Sequence, residues 1–180
     1  MADEVEIVSY DPRWPDLFAV EEKVLRNALP PDAFIAIEHT GSTAIPGVAA
    51  KPIIDIFVAV PSILEAKRTL VAPIKAIGYV YWEDNPNPER MFFVKGMPPF
   101  GARRTHHVHL CEPSSEHWSR PLLFRDYLRQ HPDQARKYVE LKRDLAKRFR
   151  DDREGYTAAK DSFVLDIVAK ARNEIARASS

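Results

Sequence analysis

An acid stands in the middle of an otherwise apolar stretch, "PIIDIFVAV" at residues 52–60, and few folds tolerate it there. An ionised carboxylate is costly to bury unless it is paired, hydrogen-bonded or bound to a metal. Read as a strand, the stretch puts Ile54, Ile56, Val58 and Val60 on one face and Ile53, Asp55, Phe57 and Ala59 on the other. The first set reads as core, so the Asp55 face is expected to border a polar cleft. Three uses fit the acid: pairing with a nearby Arg or with Lys51, holding a cation, or anchoring the ring N–H of histidines on a neighbouring strand.

Just upstream, "FIAIEHTG" reads as a strand running into a tight turn at Gly41-Ser42. Such a turn is either a plain glycine turn with a capping serine, or a cradle whose N–H groups and hydroxyl hold a phosphate. Further along, "THHVHLCE" puts His107, His109 and Cys111 on one strand face. Side chains two apart on a strand lie about 7 Å from each other, which suits a shared metal or a phosphate contact. Each histidine is equally at home as a hydrogen-bonded structural residue. Arg103 and Arg104, just before them, have the fork geometry that grips an anion.

The remaining pattern gives the scaffold. "VEIVSY" alternates like a first strand, and a helix is expected over "DLFAVEEKVLRNAL" with Leu17, Val20, Val24 and Leu25 inward. A second helix is expected over "SILEAKRTLVAPIKAIG", irregular at Pro73 and stopped by Gly78. "YVYWED" and "RMFFVKG" read as strands, and from residue 115 onward the pattern is helical. Tyr138, Leu141, Leu145 and Phe149 mark one helix face, and a last helix is expected over "DREGYTAAKDSFVLDIVAKARNEIARA". On one continuous helix Tyr156 and Lys160 would share a face and reach one site. The order implies an α+β fold, a mixed sheet flanked by helices with C-terminal helices, in a single domain spanning 1–180.

Composition narrows the classes. Lys plus Arg and Asp plus Glu are 26 each, which speaks against a dedicated nucleic-acid surface. From Arg120 to the end, however, 15 basic residues face 10 acidic ones, either as solvated helix faces or as a basic wall for a phosphate-bearing ligand. One cysteine, Cys111, points to a reducing compartment. With no leader pattern in the first residues and no long apolar run, no membrane contact and a cytoplasmic location are expected.

"HTGSTAIPGVAAKPIIDIFV", "THHVHLCE", "FRDYLRQHPDQARKYVELKRDLAKRF" and "YTAAKDSFV" together resemble the GrpB-like family, over roughly residues 5–172. That resemblance implies a nucleotidyltransferase (DNA polymerase β-like) fold. In that superfamily a Gly-Ser turn holds nucleotide phosphates, and the next strand carries a pair of acids for divalent metal ions. Gly41 and Ser42 match the turn and Asp55 the first acid. Phe57 stands where the second acid belongs, and His107 and His109 where a later strand supplies a third.

The resemblance therefore implies one of two things. The chain is a metal-dependent nucleotidyltransferase or related phosphoryl-transfer enzyme, its site rebuilt around Asp55, His107 and His109, with Glu38 or His39 in support and Mg, Mn or Zn as cofactor. Or it is a nucleotide- or anion-binding or protein-interaction module on the same fold. Gly41, Ser42, Arg103, Arg104, Tyr156 and Lys160 are the expected phosphate contacts. Related domains occur fused to dephospho-CoA kinase, but no P-loop GxxxxGK[ST] is present, so that activity is not expected here.

Overall fold

A computed structural model describes residues 5–178. Five strands make one mixed sheet: β1 (Ala36–Thr40), β2 (Ile54–Ala59), β3 (Tyr79–Tyr81), β4 (Arg90–Lys95) and β5 (His106–Cys111), in the order β1-β2-β5-β4-β3. Only β2 and β5 run parallel; the other neighbours are antiparallel. Among the described residues seven helices surround it: α1 (Trp14–Ala28), α2 (Ile63–Thr69), α3 (Val71–Ala76), α4 (Glu116–Gln130), α5 (Pro132–Arg148), α6 (Arg153–Ala158) and α7 (Asp161–Ala178). The expected α+β architecture is what forms.

Alternation decides which sheet face is core. Ile54, Ile56 and Val58 on β2, Met91 and Phe93 on β4, and Val108 and Leu110 on β5 are buried together with Leu25 of α1 and Ile74 of α3. The opposite face carries Asp55, Phe57, Phe92, His107 and His109. The C-terminal helices pack beside this second face, against the loop that follows the Gly-Ser turn. Ile45 and Val48 of that loop share a core with Phe124, Leu128, Tyr138 and Ile167.

Several local expectations are corrected. "VEIVSY" forms no strand; only Val8 bridges to Ala50, and Val5 instead packs with Leu145 and Tyr156. On α1, Leu17 and Val20 are exposed, and the inward face is Trp14, Glu21 and Leu25. Glu21 is admitted because the Tyr79 hydroxyl donates to it at 2.9 Å and Lys95 Nζ at 2.7 Å. The expected helix over residues 62–78 divides at Leu70 into α2 and α3. The expected last helix breaks at Ala159-Lys160, where Lys160 N donates to the Thr157 carbonyl in a tighter turn. Among the described residues no helix is long and apolar enough to cross a membrane.

Candidate functional site

The Gly-Ser turn is built to stand against Asp55. Gly41 has φ 68°, and a Cβ there would lie 2.4 Å from Asp55 Oδ2, so only glycine fits. Ser42–Ala44 then form one short helical turn. Three contacts fix it. His39 Nε2 lies 2.9 Å from Thr43 Oγ1, whose hydroxyl donates to the Ile53 carbonyl, and Arg129 donates twice to the Ala44 carbonyl, at 2.8 and 3.0 Å. Burial lowers His39 to about 4, so the ring is a neutral strut, stacked on Phe18 at 4.8 Å. Ile45 and Val48, just past the turn, pack with Tyr138, which ties the turn to α5.

Parallel pairing places Asp55 opposite His107 and Phe57 opposite His109. His107 Nδ1 donates to Asp55 Oδ1 at 3.0 Å. Burial works against the Asp55 charge, yet the hydrogen bond from His107 and the nearby cationic groups hold the carboxyl at about 2. Asp55 thus engages Nδ1, and Nε2 is the ring nitrogen left over. That nitrogen and His109 Nδ1 are buried and have no hydrogen-bond partner. His109 is clamped between the rings of Phe57 at 4.5 Å and Phe92 at 4.7 Å, and burial pushes its pKa well below the usual value, so it keeps a lone pair.

One ligand atom from each of Asp55, His107 and His109 fits within a 4.8 Å cluster. A set of two imidazoles and one carboxylate suits a divalent cation, Zn or Mn better than Mg, which prefers oxygen. Neither Glu38 nor His39 joins them. Glu38 is held by Arg125 at 2.7 Å, and His39 is held in the turn by Thr43.

Beside this corner opens a cavity of about 680 Å³ lined by six basic side chains: Lys51, Arg90, Arg104, Lys142, Arg153 and Lys160. Gly41, Ser42, Asp55, His107 and Tyr156 line it too. Arg103, expected as an anion contact, is exposed and is not among the lining residues. Tyr156 and Lys160 do not share one continuous helix, yet the break between α6 and α7 brings Lys160 Nζ to 4.3 Å from the Tyr156 ring, with Lys51 Nζ at 5.1 Å.

Of the lining residues that escape sequence reading, among them Arg90 and Arg153, two matter most. Lys142 is 1% exposed; its Nζ donates to the Ala49 carbonyl and sits 4.5 Å from the Tyr138 ring. Burial first, then the charges of Lys160 and Lys51, lower it to about 6, while burial lowers Lys160 to about 8. The available signal was its position: Lys142 follows Tyr138 by four residues, on the apolar side of α5. The other is Trp82, which follows β3 in a loop and carries no pattern of its own.

The GrpB protein family matches residues 4–170. A UPF0157 protein of Pseudomonas aeruginosa is 52% identical over 94% of this chain and 68% of its own length. A UPF0157 protein of Bacillus subtilis is 42% identical over 89% of this chain, which spans only 45% of that relative. The crystal structure of conserved protein GrpB from Enterococcus faecalis superimposes with TM-score 0.83 at 34% identity, covering 94% of this chain and 99% of that one. A more distant likeness, TM-score 0.50 at 17% identity over 79% of this chain and 43% of the other, is to Cid1 in complex with its short product ApU. That is a likeness of fold alone.

Proposed function

The chain belongs to the GrpB family, and from that premise and its cavity we propose a metal-dependent nucleotidyl- or phosphoryl-transfer enzyme acting on a nucleotide or another phosphate-bearing small molecule. One observation carries this reading: six basic side chains, a Gly-Ser turn and the Asp55–His107 pair converge on a single cavity. Clefts of this size that gather a few convergent polar groups are where small ligands bind.

In this reading Ser42 and the turn amides receive a phosphate, and the amines of Lys51, Lys142 and Lys160 balance its charge. Asp55, His107 and His109 would hold one divalent cation, which would supply charge neutralisation while an acceptor hydroxyl, water included, forms the new P–O bond and phosphate or pyrophosphate leaves. Asp55 fixes the His107 ring through Nδ1, so Nε2 is the atom committed to the ligand side. Lys160, lowered to about 8, exchanges a proton readily near neutral pH.

Phe57 supports a second reading. Its ring is spent stacking on His109 where a second acid would bind another metal ion, and that favours a module that binds the same ligand without transfer. Release of pyrophosphate or phosphate from each of ATP, CTP, GTP and UTP with Mn²⁺ or Zn²⁺ separates the two. Release abolished by Asp55→Asn supports transfer. Tight binding with no release under any condition assigns the chain to the second reading.

A further inference from the structure

The cavity is asymmetric along the sheet. Asp55 on β2 pairs with His107 on β5, His109 of β5 stands opposite Phe92 on β4, and Trp82 N donates to the Phe92 carbonyl at 2.9 Å. Asp55 and Trp82 are therefore three strand spacings apart, roughly 14 Å at about 4.8 Å per spacing. The amines gather at the Asp55 end. Lys51 lies just before β2, Lys142 holds the Ala49 carbonyl, and Lys160 shares the Tyr156 ring with Lys51.

The other end has a different chemistry. Trp82 lines the cavity yet is 46% exposed, a large area of indole left to solvent. Phe92 backs it at 5.8 Å, and the Arg104 guanidinium lies 5.8 Å from its ring centre. The loop that follows is anchored. Asn85 N donates to the Trp82 carbonyl at 3.4 Å, and Asn85 Nδ2 donates across the loop to the Arg90 carbonyl at 2.6 Å. A half-exposed aromatic ring on an anchored loop, flanked by a guanidinium, is a stacking platform for another planar ring.

We infer that Trp82, flanked by Arg104, is the specificity-determining platform for an aromatic ring of the ligand, a nucleobase, held at the far end of the cavity from its phosphates. This deepens the proposed function and rests on it, because the ring must belong to the molecule whose anionic end the lysines hold. A stacked ring adds affinity whatever its hydrogen-bonding edge, so the platform selects nucleotides over bare polyphosphate more than one base over another.

Calorimetric titration tests this on the full chain, on Trp82→Leu and on Trp82→Phe, with ATP, CTP, GTP and UTP and with inorganic tripolyphosphate, all in excess Mn²⁺. Trp82→Leu is expected to weaken nucleotide binding roughly tenfold or more and to leave tripolyphosphate unchanged, with Trp82→Phe recovering most of the loss. Equal weakening of both ligands, or nucleotide binding indifferent to Trp82→Leu, overturns the platform. A parent chain that binds tripolyphosphate but no nucleotide more tightly overturns the platform alone. A parent chain that binds neither overturns the proposed function with it.

Discussion

Gly41 and Asp55 are packed so closely that the space for a Cβ on the first is the space held by Oδ2 of the second, 2.4 Å away. The turn and the acid are thus one unit, although 13 residues of loop and strand lie between them in sequence. That contact explains how an acid is accommodated in "PIIDIFVAV". On the face away from the core, Asp55 is flanked by the turn on one side and by His107 Nδ1 on the other, and the cleft opens beside them.

Gly41→Ala is expected to fail on both counts, with a strained φ of 68° and a collision with a carboxylate that has little room to retreat. A residue forced into such backbone costs of order 1–3 kcal/mol. For a chain of this length that lowers the melting temperature by roughly 2–4 °C per kcal/mol. Adding Asp55→Ala to Gly41→Ala removes the clash with the carboxylate and leaves the strain and a tight contact with the Cβ of residue 55 at 3.1 Å, so the double variant is expected to melt above Gly41→Ala. Melting curves of the parent and the two variants check this.

Lys142 makes stability depend on pH in a window set by its own shift. Its amine is lowered from 10.5 to about 6 in the folded chain. Between those values the unfolded chain holds a proton that the folded chain lacks, so folded stability rises with pH there, by at most about 1.4 kcal/mol per unit. Lys142→Met is expected to flatten the rise in melting temperature from pH 6 to 9. In the parent, arrival of a polyanion favours the charged amine, so nucleotide binding near pH 7.5 is expected to take up a proton. Calorimetry in buffers of different ionisation enthalpy reads that uptake, and Lys142→Met is expected to reduce it.

Phe57→Asp restores an acid two residues from Asp55 on the same strand face. It is expected to raise affinity for Mg²⁺ or Mn²⁺ by roughly tenfold, because added carboxylate charge tightens hard-cation sites. It is also expected to lower stability, by an amount within the roughly 3–5 kcal/mol of deleting a buried aromatic, because Phe57 is 7% exposed and stacked on His109. A metal titration together with thermal melting measures both effects on one sample.

How far the sequence could be read follows from the range of the forces involved. β2, β4 and β5 are visible because alternation is local: every second residue of "IDIFVA", "RMFFVK" and "HHVHLC" faces the core. The pairing of Asp55 with His107 was suggested by residue type but required the parallel register to become a contact. What sequence reading missed depends on distant partners. Glu21 displaces Leu17 and Val20 from the inward face of α1 only because Tyr79 and Lys95 arrive from 58 and 74 residues away.

Lys142 looks like one more charge on a basic helix until the Ala49 carbonyl and the Tyr138 ring are seen around it. "VEIVSY" has a strand's alternation but no strand neighbour beyond the single bridge at Ala50. The expected Tyr156–Lys160 proximity is found for a different reason, since the break between α6 and α7, not a helical repeat, turns the lysine onto the ring.

The central claim is that Asp55 organises a cation and phosphate site in the cavity, and one measurement addresses it most directly. The full chain and Asp55→Asn are titrated calorimetrically with ATP, CTP, GTP and UTP, each with and without Mg²⁺, Mn²⁺ and Zn²⁺. The account predicts nucleotide binding that is strengthened by Mn²⁺ or Zn²⁺ and lost in Asp55→Asn, while the variant still melts cooperatively. Nucleotide and metal affinities that are the same in the parent and in a folded Asp55→Asn would contradict it.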